Sequence, residues 1–223
     1  MLTDIQRDRM VASQVEARGV TDPLVLKAMR AVPREAFVPA ALACLAYEDG
    51  ALAIGHGRTM SPPYVVAVMA AAADVAPGAR VLEIGTGSGY GAAVLSRIAA
   101  EVCTVERVGA LADEARRRLA ALGYDNIHVV HGDGSLGCPE HARYDAIVVT
   151  VGGPRVPKTL LHQIAVGGRL VMPIGSPGGE RLVRVVRTEE HEYEYTDLEQ
   201  VVRVPLAGTE CWSPDGAVLA STM

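Results

Sequence analysis

A glycine-rich turn between an apolar run and a helical run is the feature that most restricts how this chain can fold. Residues 81–93 read VLEIGTGSGYGAA, so a buried strand leads into Gly85, Gly87 and Gly89 and then into a helix. Glycines let the backbone adopt conformations that side chains forbid, and they let it approach a ligand closely. In open α/β sheets such a turn lies at the carboxyl end of a strand, where ligands bind. The first expectation is therefore a nucleotide ligand.

The alternation of apolar and amphipathic runs predicts the architecture around this turn. From residue 80 onward, helices over 89–100 and 108–122 separate strands, and the strands are RVLEIG, EVCTVER, NIHVVHGD, YDAIVVTV and GGRLVMPIG. Apolar strands linked by helices indicate a parallel sheet that is covered on both faces. The later run ERLVRVVRTEEHEYEYTDLEQVVRVPL predicts two antiparallel edge strands joined by a charged turn. The predicted fold class is α/β, with a doubly wound, mostly parallel sheet, an N-terminal helical cap and C-terminal antiparallel edge strands.

The first third of the chain predicts helices and one irregular loop. Residues 5–18 predict a polar amphipathic helix that ends at the glycine that follows. Thr21 is the expected N-cap of a second helix, because Pro23 falls in its first turn. The stretch GALAIGHGRTMSPP, residues 50–63, is expected to be a loop because of its glycines and prolines. The apolar run PYVVAVMAAAADV that follows predicts a further helix.

Size and hydrophobic content indicate one domain over residues 1–223. With 223 residues, of which 49% are hydrophobic, the chain can bury one sizeable core. We expect a helical cap and loop over 1–76, a ligand-binding core over 77–175, and C-terminal strands with a tail over 176–223. A monomer is the simplest expectation for the oligomeric state.

Charge and cysteine spacing exclude several classes of partner. The net charge of −5 leaves no basic surface for nucleic acid or for an anionic membrane. The N-terminus is polar and lacks the apolar core of a signal peptide, so a cytoplasmic location is expected. The four cysteines are scattered without CxxC spacing, so neither a disulfide framework nor a metal site is expected.

The residues around the glycine turn restrict the class of ligand that can bind there. The pattern is G-x-G-x-G, and Tyr90 leaves less room for a pyrophosphate than the dinucleotide fingerprint does. Glu83 is expected to add negative charge, which suits a cationic ligand. Glu106 ends the second sheet strand, where an acid can bond the ribose hydroxyls, and Asp133 ends the third, where an acid can meet the amine of adenine. S-adenosylmethionine (SAM) combines adenosine with a sulfonium cation and has no phosphate, so it fits. A surface carboxylate at Glu106 and a simple turn at Asp133-Gly134 remain open alternatives.

Several stretches carry a resemblance to a known family over about residues 10–212. They are RGVTDPLVLKAMRAVPREAFVP, IGHGRTMSPPYVVAVM, VLEIGTGSGYGAAVLS, LGYDNIHVVHGDGSLG, YDAIVVTVGGPRVP and VPLAG. They resemble motifs of the protein-L-isoaspartate(D-aspartate) O-methyltransferases, and the GHG-x-T-x-S-x-P stretch is the most specific of them. The resemblance implies a Rossmann-like, SAM-dependent fold. It also implies methyl transfer to the α-carboxylate of L-isoaspartyl residues in damaged proteins or peptides, with repair through a succinimide.

The resemblance also implies site residues. Ser61 is the expected catalytic residue, with Thr59 beside it, and His56, Arg58 and Pro63 are expected to contact the substrate. The residues expected to bind SAM are Glu83, Gly85, Thr86, Gly87, Ser88, Gly89, Tyr90, Glu106, Arg107, Asp133 and Gly134. A substrate carboxylate with a pKa of ~4 is ionised at neutral pH, so no general base is needed. Hydroxyl groups that align this carboxylate are then the useful side chains. An alternative for Ser61, compatible with the first, is that its hydroxyl caps the next helix.

Two departures from the family pattern motivate a rival hypothesis for the function. Arg58 stands where the family usually has Gln, and Pro62 stands where Gln or Ala is usual. The rival is a dedicated homologue that methylates Asp in one precursor peptide to form an aspartimide. A nicotinamide-dependent oxidoreductase is disfavoured by Tyr90, and a non-catalytic SAM-binding protein is disfavoured by the loop with Thr59 and Ser61.

Overall fold

The computed structural model describes residues 2–176 and 179–201. The VPLAG motif and the terminal run ECWSPDGAVLASTM lie outside the described residues, as does the end of the predicted C-terminal segment.

The described residues contain six α-helices, and the first three precede the large sheet in the chain. They are α1 (Leu2–Met10), α2 (Pro23–Ala31), α3 (Pro63–Ala72), α4 (Tyr90–Ser96), α5 (Gly109–Ala121) and α6 (Lys158–Gln163). The predicted first helix is present, but after α1 it continues as one π-helical segment and one 3₁₀ segment. It ends at Gly19, whose φ of 94° is the left-handed conformation that favours glycine.

The N-cap of α2 differs from the prediction. Asp22, not Thr21, caps this helix, because its carboxylate accepts hydrogen bonds from the backbone N–H groups of Leu24 and Val25. Pro23 occupies the first helical position, so the capping residue is the one immediately before it.

Nine strands lie within the described residues and form two sheets. They are β1 (Leu52–Gly55), β2 (Arg58–Met60), β3 (Arg80–Ile84), β4 (Glu101–Glu106), β5 (Ile127–His131), β6 (Tyr144–Val149), β7 (Ile164–Ile174), β8 (Glu180–Arg187) and β9 (Tyr193–Val201). The large sheet has the order β5-β4-β3-β6-β7-β8-β9. Strands β3 to β7 are parallel, and β8 and β9 pair antiparallel at one edge. The predicted mostly parallel sheet with an antiparallel edge hairpin is confirmed.

The order of the strands creates one switch point. The chain runs from β3 outward through β4 to β5 and then returns to β6 on the other side of β3. In doubly wound sheets the carboxyl ends of the strands open into a crevice at this point, and ligands bind there. The glycine turn follows β3 directly, so it lines this crevice.

The prediction of an irregular loop over residues 50–63 is wrong in the middle of this stretch, where β1 and β2 form an antiparallel hairpin. His56 and Gly57 connect the two strands with φ values of 52° and 66°. Two consecutive positive φ angles are typical of a type I′ turn, which matches the twist of the flanking strands. We call residues 52–61, which hold most of the residues predicted to contact the substrate, the substrate hairpin.

Apolar side chains cover both faces of the large sheet. One cluster joins the N-terminal cap, α3 and α4 to the sheet, and it includes Phe37 and Tyr90. A second cluster packs α6 and the segment around Tyr144 against the opposite face. Within the described residues no helix combines the length and the apolar character that a membrane span requires.

Candidate active site

The glycine turn is tightly folded at the switch point. Gly85, Gly87 and Gly89 have φ values of 97°, 53° and 91°, a region that L side chains rarely adopt. The N–H of Gly85 donates to the carbonyl of Val105 at 2.8 Å, and the N–H of Gly89 donates to the carbonyl of Thr86 at 2.8 Å. The turn is therefore fixed both to β4 and to itself.

Glu106, at the end of β4, holds the turn from the side. One carboxylate oxygen accepts the N–H of Gly87 at 2.8 Å, and the other accepts the N–H of Val108 at 2.9 Å. The side chain is only 7% exposed, so the alternative of a surface carboxylate is wrong. Each oxygen keeps a further lone pair, which leaves capacity to accept hydroxyl groups of a ligand.

Asp133 follows β5 and starts a short 3₁₀ segment (Gly134–Leu136). Its Oδ1 accepts the N–H of Ser135 at 2.9 Å and the hydroxyl of Ser135 at 2.8 Å. The alternative of a turn at Asp133 is thus confirmed, and Gly134 is buried within it. A contact between Asp133 and adenine remains a prediction.

Glu83, in β3 just before the turn, is buried and hydrogen-bonded. It is 1% exposed, its Oε2 accepts the hydroxyl of Thr104 at 2.6 Å, and Thr104 in turn lies 2.7 Å from the hydroxyl of Thr86. A Cβ at Gly91 would collide with Oε1 of Glu83, so the carboxyl group also contacts the start of α4. Burial raises the pKa of Glu83 to about 8. Burial thus works against the negative charge expected from Glu83, and the group is a hydrogen-bonded support for the turn through Thr104 and Thr86.

The remaining residues expected at the cofactor contribute in different ways. Tyr90 is buried, packs its ring edge-on against Phe37 and directs its hydroxyl to the sulfur of Met29, so its side chain belongs to the cap. Ser88 is buried, and its carbonyl accepts a hydrogen bond from Arg118 at 2.9 Å. Arg107 has an exposed side chain, and its carbonyl lies 3.2 Å from Nε2 of His131.

The substrate hairpin lies directly against the glycine turn. The Cδ1 atom of Ile54 is 3.2 Å from the position that a Cβ on Gly87 would take. At the tip of the hairpin, Nε2 of His56 lies 3.8 Å from Oε1 of Glu114 on α5. At its end, the carbonyl of Ser61 accepts a hydrogen bond from Arg34 at 2.6 Å. The structure thus brings the predicted substrate residues and the predicted cofactor residues to one place.

The side chains at the end of the substrate hairpin differ in their exposure to solvent. Thr59 is exposed, and Arg58 and Ser61 are half-buried. Pro62 is the N-cap of α3 and Pro63 is its buried first residue, and no side chain caps this helix by a hydrogen bond. The alternative that the Ser61 hydroxyl caps α3 is therefore wrong, because the cap position falls one residue later.

Two residues of the site were missed by sequence reasoning. Thr150 follows β6, and its hydroxyl contacts the carbonyls of Ile84 and Gly85 at 3.0 Å each across the switch point. The rule that ligands bind at strand ends beside the switch point could have found it. Arg34 reaches Ser61 from the N-terminal cap, and the spacing of residues carries no signal for such a contact.

Fold and site together define the class: the protein is a Rossmann-like, SAM-dependent methyltransferase. Residues 6–211 match the family model described as protein-L-isoaspartate(D-aspartate) O-methyltransferase, and the chain belongs to this family.

Curated relatives and solved structures agree with this family. The protein-L-isoaspartate O-methyltransferase 1 of Rhodopseudomonas palustris (strain HaA2) is 57% identical over 93% of this chain and 85% of the relative. The protein-L-isoaspartate O-methyltransferase 1 of Geotalea uraniireducens (strain Rf4) is 55% identical over 93% of this chain and 95% of that one. A solved protein-L-isoaspartate O-methyltransferase shares 31% identity with a TM-score of 0.81, over 91% of this chain and 66% of that chain.

Proposed function

We propose that this chain transfers the methyl group of SAM to the α-carboxylate of L-isoaspartyl residues in damaged proteins or peptides, and so starts repair through a succinimide. In this proposal Thr59 and Ser61 align the carboxylate, and the glycine turn holds the cofactor. The observation that carries it is the contact between the substrate hairpin and the glycine turn at Ile54 and Gly87. Family membership supports the same reaction.

The residues around the turn fit a ligand that contains adenosine and lacks phosphates. The N–H groups of Gly85, Gly87 and Gly89 are already bonded to Val105, Glu106 and Thr86, so these three are not offered to a phosphate. A phosphate near Gly87 would also meet the Glu106 carboxylate. By contrast, carboxylates at the ends of β4 and β5 suit ribose hydroxyls and an adenine amine.

Glu106, Asp133 and the backbone of residues 85–90 would hold SAM in this arrangement. When bound, SAM supplies an electrophilic methyl carbon attached to a positively charged sulfur. Glycine at 85 and 87 also suits the packing of the turn, because a Cβ there would lie 2.3 Å from the Thr150 hydroxyl oxygen or 3.2 Å from Cδ1 of Ile54.

Alignment of the substrate carboxylate falls to the hydroxyls of Thr59 and Ser61. The carboxylate is ionised at neutral pH, so no side chain has to remove a proton. Each hydroxyl can donate one hydrogen bond to a carboxylate oxygen, while the other oxygen stays directed at the methyl carbon. His56 is assigned a contact with the substrate rather than a role as base, because its ring is 43% exposed at the tip of the hairpin.

Substitution of the two hydroxyls tests the assignment. Ser61→Ala and Thr59→Ala each remove a charge-assisted hydrogen bond, so kcat/KM for an isoaspartyl peptide should fall roughly 10- to 100-fold. Affinity for SAM, measured by calorimetry, should stay within about twofold because neither hydroxyl is assigned to the cofactor. Thr196→Ala, which alters another exposed threonine on edge strand β9, is the matched control and should leave kcat/KM unchanged. A loss of SAM affinity in Ser61→Ala, or activity equal to that of Thr196→Ala, would refute the roles.

We further propose that the protein acts as a monomer in the cytoplasm and without nucleic acid. The net charge of −5 supports the last point, because binding to a polyanion requires a basic surface. Sedimentation equilibrium and a titration with duplex DNA would test the oligomeric state and nucleic-acid binding.

A further inference from the structure

We propose that Arg34 is a positioning residue that sets the place of Ser61 relative to the glycine turn. The inference rests on the proposed function, because it gives Ser61 its role in aligning the substrate carboxylate. Arg34 begins a 3₁₀ segment (Arg34–Phe37) behind α2, and its side chain is fully buried.

The guanidinium of Arg34 joins three separate parts of the chain. Its Nε donates to the carbonyl of Ala46 at 2.8 Å, and its Nη2 donates to the carbonyl of Ser61 at 2.6 Å. Its central carbon lies 4.6 Å from the centroid of the Tyr90 ring, the first residue of α4. One rigid, planar group therefore connects the N-terminal cap, the end of the substrate hairpin and the helix that follows the glycine turn.

Stability alone is a poor explanation for this arginine. Among residues 2–176 and 179–201, no carboxylate forms an ion pair with Arg34, and its Nη1 is buried without a hydrogen-bond partner there. Burial lowers the pKa of the guanidinium from its ordinary value, yet arginine keeps its charge in proteins. A buried charge without a counter-ion opposes folding, and an apolar side chain of similar size would avoid that penalty. The two carbonyl contacts and the Tyr90 ring define a geometric role instead.

The contact acts on the backbone of Ser61, where other restraints are few. No side-chain hydrogen bond caps α3 at this point, and the next two residues are the prolines 62 and 63, which donate no backbone hydrogen bond. Arg34 thus holds the carbonyl that precedes them, and with it the backbone position from which the Ser61 side chain projects. In a reaction that depends on alignment, a displacement of ~1 Å can lower the rate about 10²-fold.

Arg187 on β8 provides a matched control for the experiment. It is also buried, donates to the carbonyls of Ile164 at 2.7 Å, Glu189 at 3.3 Å and Glu190, and lies 5.9 Å from the Tyr193 ring. Its surroundings resemble those of Arg34, but its bonded partners belong to the start of β7 and to the connection between β8 and β9. Replacing either arginine by lysine keeps the positive charge and removes the planar fork.

The test compares Arg34→Lys with Arg187→Lys at a temperature well below both melting temperatures. Both variants should melt at lower temperature than the wild type. Only Arg34→Lys should lose activity on an isoaspartyl peptide, by roughly 10- to 100-fold and mainly in kcat, with SAM affinity within about threefold of the wild type. Guanidinium ion at a concentration below denaturation should restore part of the kcat of Arg34→Ala. A kcat for Arg34→Lys that equals that of Arg187→Lys would overturn the proposal.

Amide hydrogen exchange separates this proposal from the proposed function. Exchange over residues 58–61 should be faster in Arg34→Lys than in the wild type and unchanged in Arg187→Lys. If the wild type itself fails to methylate isoaspartyl peptides, the proposed function fails, while exchange still tests whether Arg34 holds the hairpin. Unchanged exchange over 58–61 would overturn the placement of Ser61 by Arg34.

Discussion

Replacement of Gly85 by alanine tests how closely the glycine turn is packed at the switch point. The φ of 97° at Gly85 is strained for any L residue, and a new Cβ would collide with the hydroxyl oxygen of Thr150. Strain in the left-handed region costs ~1–2 kcal/mol, and the lower entropy of the unfolded alanine chain offsets part of it. Overpacking against Thr150 adds ~1–3 kcal/mol. We therefore expect Gly85→Ala to lower the free energy of unfolding by about 2–4 kcal/mol.

Gly123→Ala is the matched control, because Gly123 has a φ of 76° and nothing within 4 Å of its added Cβ. This variant has the backbone strain without the collision, so its free energy of unfolding should fall by about 1 kcal/mol. Urea unfolding of the ligand-free variants measures both values, and the slope of the transition should stay unchanged so that the midpoints report stability. Equal destabilisation of the two variants would refute the close contact between Gly85 and Thr150. Calorimetry should also show weaker SAM binding for Gly85→Ala alone.

Two further predictions concern the acids of the site. Asp133→Ala should weaken SAM binding about tenfold by calorimetry, because a hydrogen bond to a charged acceptor is lost. Asp22→Ala, which removes a similar cap from α2, should leave the affinity for SAM unchanged. Equal affinities in the two variants would remove Asp133 from the site. For Glu83, whose pKa burial raises to about 8, the native state retains a proton that the unfolded state loses above pH ~4.3. The wild type should therefore lose stability relative to Glu83→Gln as the pH rises from about 5 to about 8, by at most ~1.4 kcal/mol per pH unit, and the difference should level off above that range. Urea unfolding of both proteins across this range checks it, and a constant difference would contradict the raised pKa.

The strands and the glycine turn could be predicted because their signals are local. Apolar runs of strand length followed by Gly85 and its neighbours specify where β3 ends, whatever packs around them. The order of the strands was not predicted, because it depends on which distant segments pair, and it is known only from the structure. Family motifs added the residues of the substrate hairpin, and the structure brings that hairpin to the glycine turn through Ile54.

The remaining features depend on contacts between distant parts of the chain. The burial of Glu83 and its bond to Thr104 were not predicted, because a carboxyl group in a sequence shows neither its burial nor its distant hydrogen-bond partner. Arg34 and Thr150 were missed because their partners lie 27 and 65–66 residues away along the chain. The hairpin turn at His56 was taken for a loop because its glycine signals fit both structures, and only the pairing of β1 with β2 separates them.

Methyl transfer from radiolabelled SAM to two matched peptides tests the central claim most directly. The peptides share one sequence and differ only in carrying L-isoaspartate or L-aspartate at one position. The proposed repair function predicts label on the isoaspartyl peptide alone. Label on neither peptide, with SAM binding intact, would contradict generic repair and favour a homologue dedicated to one precursor peptide, for which the departures at Arg58 and Pro62 would be the first residues to examine.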